Sequence, residues 1–200
     1  MRLFVAVNLP QVERERIHRA TSVLRAAGFP ILWTATELLH LTVEFLGEGD
    51  ESRVALIESV LQDVASGIAP FEMKVGGLGA FPGLGRPRVV WVGVEPSPSL
   101  MSLHEGVAGG LASLGFGIDE RPFHPHITVG RAQAGTVAAN FRGLDELTRR
   151  IRVDATAAVH SVDLMRSRLS PAGARYECLI VASLRGAPAR ESNGREQEES

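Results

Sequence analysis

Cysteine is almost absent from this 200-residue chain. The single one, Cys178, sits in an apolar run, so no internal disulfide can form. No Cys/His grouping has the spacing of a structural zinc site, and a reducing, cytoplasmic setting is the expectation that follows. Lysine is as scarce, with Lys74 standing alone against twenty arginines. The formal net charge is −2, which lacks the basic footprint of tight, extended nucleic-acid binding. Arginine is the better bidentate partner for phosphate, but GC-rich coding bias is the simpler source of most of these. No apolar run reaches membrane-spanning length, so no membrane partner is expected. Met1 to Pro10 is too short for a signal peptide and has no cleavage-site pattern. The glycine-rich stretch from Gly76 to Gly85 lacks Gly-Lys-Ser/Thr, which excludes a nucleotide P-loop.

What is present can bury a substantial core. At 44% hydrophobic residues, the length suits one domain or two small lobes that share a core. Leu3 to Val7 reads as a buried strand stopped at Pro10. An amphipathic helix follows to Ala27, closed by Gly28 and Pro30. A strand is predicted over Leu39 to Leu46 and a helix over Glu51 to Ile68. Phe71 to Val75 reads as a strand that Gly76, Gly77 and Gly79 then loosen. A central strand is predicted over Arg88 to Val94 and a helix over Ser99 to Leu114, weakened by Gly109 and Gly110. Pro122 to Arg131 holds the next strand, and Leu144 to Arg150 is a short helix. Val153 to Arg168 reads as one long strand, turned at Ser170 to Gly173 into a returning strand over Tyr176 to Leu184. Gly186 to Ser200 is polar, without apolar periodicity, and is expected to be disordered. The fold class is therefore α+β, with two similar lobes, each an antiparallel sheet with helices packed outside. It is read as one domain over residues 1–186 with a polar tail over 187–200.

One short pattern occurs twice. His40-Leu41-Thr42-Val43 returns as His126-Ile127-Thr128-Val129, in a comparable position of the second half. On a strand, side chains at i and i+2 share a face. Each copy then presents one imidazole and one hydroxyl, with its aliphatic residues behind. Two such strands facing one another place two histidines and two threonines in one cleft. Imidazole exchanges protons near neutrality, and two flanking one phosphorus can divide the work. One takes a proton from the incoming oxygen and the other gives one to the leaving oxygen. A threonine hydroxyl two residues along can bind a non-bridging phosphate oxygen or hold the imidazole tautomer. One His-x-Thr carries no information, since a lone strand histidine is usually structural; two in matched positions carry a great deal. His124 and His126 could together chelate a metal. Pro125 between them and the lack of a third ligand argue against it, so no metal or other cofactor is expected.

The residues around these motifs resemble the 2H phosphoesterase superfamily and, within it, the RNA 2′,3′-cyclic phosphodiesterases, also called 2′-5′ RNA ligases. The matching stretches are Arg2-Leu3-Phe4-Val5-Ala6 with Pro10, Leu39 to Gly47, Pro87 to Trp91, Pro122 to Arg131, and Ser167-Arg168-Leu169 with Pro171, Gly173 and Tyr176. The resemblance implies a LigT-like fold with the active-site cleft between the lobes. It implies that His40 and His126 are the acid–base pair, that Thr42 and Thr128 bind the phosphate, and that Arg131 adds charge beside it. It places Phe45 on the nucleobase or sugar side. By parity Phe45 belongs with Leu41 and Val43, so a bend is needed to bring it to the cleft. Gly130 stands where a bulkier residue is expected, which implies a looser site. The implied activity is metal-independent opening of a terminal 2′,3′-cyclic phosphate to a 2′-phosphate, with reversible 2′-5′ ligation through the same site. The expected partners are RNA 3′ ends or small cyclic phosphates, bound by a monomer. The alternatives are a phosphoesterase for small cyclic nucleotides or ADP-ribose cyclic phosphate, and a non-catalytic RNA-end-binding module.

Overall fold

The computed structural model describes residues 1–119, 121–170 and 173–187. Among them nine strands form one antiparallel sheet. In chain order they are β1 (Arg2–Asn8), β2 (Ile31–Trp33), β3 (His40–Glu48), β4 (Phe71–Phe81), β5 (Val89–Val94), β6 (His126–Ala132), β7 (Asp154–Val159), β8 (Ser161–Ser170) and β9 (Gly173–Ser183). Their order across the sheet is β7-β4-β5-β6-β3-β1-β8-β9, with β2 added beside β6. This order divides into two four-stranded halves that meet between β6 and β3. The pairing there is a single bridge, Leu41 opposite Ile127. These two residues hold the same place in the two His motifs, so a near-twofold axis passes between them. On either side of the bridge the ladder stops and the two strands part.

Among the described residues there are also three short 3₁₀ turns and five α-helices: α1 (Gln11–Ala20), α2 (Ser22–Ala26), α3 (Val54–Ser66), α4 (Pro98–Ser113) and α5 (Leu144–Arg150). α3 lies against β8 and β9, α4 against β3, α1 against β7 and α5 against β4. They cover the face that carries Leu41, Val43, Ile127 and Val129, and the main core lies in that layer. α3 contributes Ile57, Leu61 and Ala65 to it; α4 contributes Leu100, Leu103, Val107 and Leu111. Each fully buried leucine or isoleucine is worth about 1.5–3 kcal/mol of transfer free energy. α4 begins well: Ser97 caps it by accepting the Leu100 N–H at 3.3 Å, with Pro98 in the first turn. Its glycines have a packing purpose. A Cβ at Gly110 would lie 2.5 Å from Val60 Cγ1, and one at Gly106 3.0 Å from Val64 Cγ1, so α3 and α4 approach closely there. None of these helices is long and apolar enough to cross a membrane.

Several elements differ from the expectations drawn from pattern alone. The first helix breaks at Thr21, which is buried and returns its hydroxyl to the Ile17 carbonyl at 2.9 Å. β4 does not end at Val75 but runs through the glycines to Phe81. Gly77 forms a bulge at φ +71°, while Gly76 and Gly93 admit close backbone approach. The stretch from Val153 to Arg168 is two strands broken at His160: β7 pairs with β4 at one end of the sheet and β8 with β1 in the other half. The strand expected within Pro122 to Arg131 is β6, which begins at His126. The predicted tail lies largely outside the described residues, as do Pro171 and Ala172 of the predicted turn.

Gly79 shows how tightly the second half is built. A Cβ there would lie 2.3 Å from the ring of Trp91 on the neighbouring strand. Gly79→Ala is therefore expected to cost about 1–3 kcal/mol in urea unfolding, through overpacking. Unchanged stability would show that the indole ring moves aside freely.

Candidate active site

On the face away from the helices, the two His motifs lie side by side. The bridge sets Leu41 opposite Ile127, so the antiparallel register brings His40 beside Thr128 and Thr42 beside His126. All four are half-buried, while the intervening Leu41, Val43, Ile127 and Val129 are fully buried. The alternation expected of a strand holds through Val43 and Val129 and then fails in both strands at the same place. β1 pairs Ala6 with Thr42 but Val5 with Glu44, passing over Val43. β5 pairs Trp91 with Thr128 but Val90 with Gly130, passing over Val129. Each motif thus ends in a β-bulge, and the parity of the residues directly after it reverses. Phe45 and Arg131 are the equivalent residues beyond the two bulges, and both emerge on the histidine face. Phe45 is 59% exposed, its ring 6.3 Å from Phe4. The bulge supplies the bend that Phe45 needs, ahead of the turn at Gly47.

Gly130 is not a loose spot. β2 pairs beside it, with Trp33 opposite Gly130, and a Cβ there would lie 2.5 Å from Ile31 Cγ2 and 2.9 Å from Trp33 Cε3. Glycine at this position is what allows β2 to lie against the bulge.

The two imidazoles are held alike. His40 Nδ1 donates to the Leu38 carbonyl at 2.8 Å, and His126 Nδ1 donates to the His124 carbonyl at 2.6 Å. A carbonyl only accepts, so both rings carry their proton on Nδ1 and leave Nε2 bare. Thr42 Oγ1 lies 3.0 Å from His40 Nε2 and donates to it. His124 contributes through its carbonyl. Burial pushes the pKa of both histidines below the ordinary imidazole value, and Arg131 pushes them further down. At His40 the charge of His126 adds to this effect. Arg131 also opposes the upward shift that burial imposes on the Tyr176 phenol. One cation thus acts on both histidines and on the tyrosine.

The walls differ between the halves. His40 is flanked by Phe4 at 5.0 Å and by Tyr176, edge-on, at 5.3 Å. Phe4, Ala6 and Met165 form a small apolar cluster here, capped by Tyr176 and separate from the main core. His126 is flanked by Phe81 at 5.0 Å and Trp91 at 6.2 Å. Beyond His40, Asn8 Nδ2 donates to Asp163 Oδ2 at 2.6 Å, and burial raises the Asp163 carboxyl. The corresponding places by register are Gly93 and Gly79, under the indole of Trp91. Phe4, Phe81 and Trp91 are not among the site residues that the sequence suggests. The usable signal was in Leu3 to Val7, whose apolarity on both faces requires a covering layer on the second face.

Two histidines in one tautomer, two hydroxyls and one guanidinium on a common face form an arrangement for acid–base work on an anion. The profile of the 2′-5′ RNA ligase superfamily matches residues 10–170. The chain is 33% identical over 184 residues to an RNA 2′,3′-cyclic phosphodiesterase of Methanothermobacter thermautotrophicus, covering 92% of this chain and 99% of that protein. A crystal structure from Thermus thermophilus matches with a TM-score of 0.76 at 31% identity, over 93% of this chain and 99% of that one. Escherichia coli LigT complexed with 3′-AMP matches with a TM-score of 0.72 at 27% identity, over 92% and 97% of the two chains. The doubled His-x-Thr pattern, its shared sheet face and these likenesses lead to one conclusion: the chain belongs to the 2′-5′ RNA ligase superfamily of 2H phosphoesterases.

Proposed function

We propose that the protein is an RNA 2′,3′-cyclic phosphodiesterase that opens a terminal cyclic phosphate to a 2′-phosphate without a metal. His126 Nε2 takes a proton from water as its oxygen bonds to phosphorus. The bond from phosphorus to the 3′-oxygen breaks, and His40 Nε2, protonated in this state, gives its proton to that oxygen. Each Nδ1–H stays on its carbonyl and holds the ring in place throughout. Thr42, Thr128 and Arg131 receive the charge that builds on the non-bridging oxygens, where positioned donors act most strongly. With a 5′-hydroxyl in place of water the same steps form a 2′-5′ bond.

The observation that carries this reading is the matched pair of bare Nε2 atoms, each fixed by a carbonyl two residues earlier. The assignment of acid and base rests on Phe45, an exposed aromatic ring beside the Phe4–His40 cluster. A nucleoside stacked there brings its 3′-oxygen to His40. A monomer acting in the cytoplasm fits the same reading.

The test is a short RNA ending in a 2′,3′-cyclic phosphate, incubated with the purified protein in EDTA. The expected product is the 2′-phosphate alone. A 3′-phosphate would overturn the assignment of the leaving oxygen. An inert RNA with turnover of small cyclic nucleotides would move the substrate class. No turnover of either would leave a binding module.

A further inference from the structure

Glu44 is the inner residue of the β3 bulge and points away from the cleft, into the helix layer. It is 3% exposed, a carboxylate where the second motif has Gly130. One of its oxygens accepts the Phe45 N–H at 3.1 Å, so the carboxylate closes its own bulge. Asp119, in the linker before β6, is also close enough to act on its charge. The other oxygen lies 3.8 Å from His104 Nε2, on α4. The His104 ring is stacked flat on Phe123, with centroids 4.0 Å apart and planes within 4°. Phe123 directly precedes His124, whose carbonyl receives His126 Nδ1–H. An unbroken series therefore runs beneath the sheet: Phe45 N–H, Glu44, His104, Phe123, the His124 carbonyl, His126. It joins the bulge that presents Phe45 to the carbonyl that orients the second histidine. His40 has no equivalent, because its carbonyl partner Leu38 belongs to a short 3₁₀ turn leading straight into β3.

We infer that Glu44 and His104 are positioning residues: they set the segment before β6, and through the His124 carbonyl they fix the orientation and tautomer of His126. A buried carboxylate is costly unless it is paired and hydrogen-bonded. This one has the Phe45 N–H as a donor and the His104 ring at 3.8 Å, and burial together with the nearby Asp119 raises its carboxyl. The groups packed around it come from three elements: the Phe45 amide on β3, His104 on α4, and Asp119 in the linker before β6. Misplacing a reacting group by about 1 Å can cost 10²-fold, and His126 hangs from the carbonyl of the residue that directly follows the stacked Phe123.

The inference rests on His126 being catalytic, and the experiment separates the two. His104→Phe keeps a ring on Phe123 but removes the partner of Glu44; Glu44→Gln keeps the acceptor for the Phe45 N–H but removes the charge. Both are measured beside His126→Ala, with steady-state kinetics on a cyclic-phosphate RNA and nitrogen-detected NMR of the imidazoles. Both variants are expected to lower kcat about ten- to a hundredfold, with KM changed less than about threefold. The His126 Nδ1–H resonance should move, with that of His40 in place. If His126→Ala remains active, the reading of the site itself fails. If His126→Ala is inactive but His104→Phe and Glu44→Gln keep full kcat, this inference alone is overturned. A fall in kcat with an unmoved His126 resonance overturns it too, by making the pair a packing element. Should either variant unfold, His104→Asn, which retains a donor toward Glu44, restores kcat if the inference is right and leaves it depressed if not.

Discussion

Alanine in place of His40 or of His126 is expected to lower kcat on a 2′,3′-cyclic phosphate by about 10²–10⁴-fold. Each imidazole is held by its own carbonyl, so removing one ring leaves the other oriented, and the two losses should be similar in size. They should not add. The proton that leaves water and the proton that reaches the 3′-oxygen belong to one displacement, so groups acting together are strongly non-additive. The double variant is expected to fall well short of the product of the single effects. The roles can be told apart with a substrate whose leaving group is a weak base. Such a group needs no general acid, so it should restore activity to His40→Ala and not to His126→Ala. Rescue of His126→Ala alone would reverse the assignment. Rescue of neither would mean that both rings chiefly bind the phosphate.

Arg131→Leu is expected to cost about 10²–10³-fold in kcat/KM, the size found for the loss of one preorganised charge-stabilising donor. A second consequence distinguishes it from a merely weakened site. Arg131 depresses both histidines on top of the effect of burial. In the parent protein both titrate below the ordinary value of about 6.5. The base must be neutral, so its limb of the pH profile falls away as pH drops through a depressed pKa. The acid must be protonated, so its limb falls away as pH rises through a depressed pKa. The maximum of kcat/KM, which reports the free enzyme, is then expected on the acid side of about 6.5. Removing the guanidinium relieves the repulsion on both rings and should move the whole bell toward neutrality. A lower but unshifted profile would place Arg131 away from the histidines in solution.

Much of this was legible in the chain, and the illegible parts have particular causes. The histidine and threonine of each motif share a face because strand periodicity is two, and that held for as long as the strand was regular. It stopped holding at Val43 and Val129. A bulge leaves no mark in composition, so parity alone sent Phe45 to the core. The structure sends both Phe45 and Arg131 to the cleft because β1 and β5 each pass over one residue of their neighbour. Gly130 read as a deficit because its covering strand, β2, is only three residues long and distant in sequence. The glycines of β4 read as loosening the strand because nothing local says that the ring of Trp91 lies on one of them. His104 likewise has no partner near it in sequence. The carboxylate that meets it, Glu44, is far away in sequence and on another layer.

The two imidazoles also bear on design. Each is held by the carbonyl two residues before it, with a hydroxyl two residues after it and a bulge to terminate the unit. That makes the proposed catalytic element a cassette of about eight residues, self-contained at His40 and tied at His126 to α4 through the stacked Phe123. Two edge strands that touch at one residue pair could accept a cassette each. A symmetric homodimer joined at such a pair would assemble a complete site from a single copy of the cassette, with the two chains equivalent until a substrate lands between them.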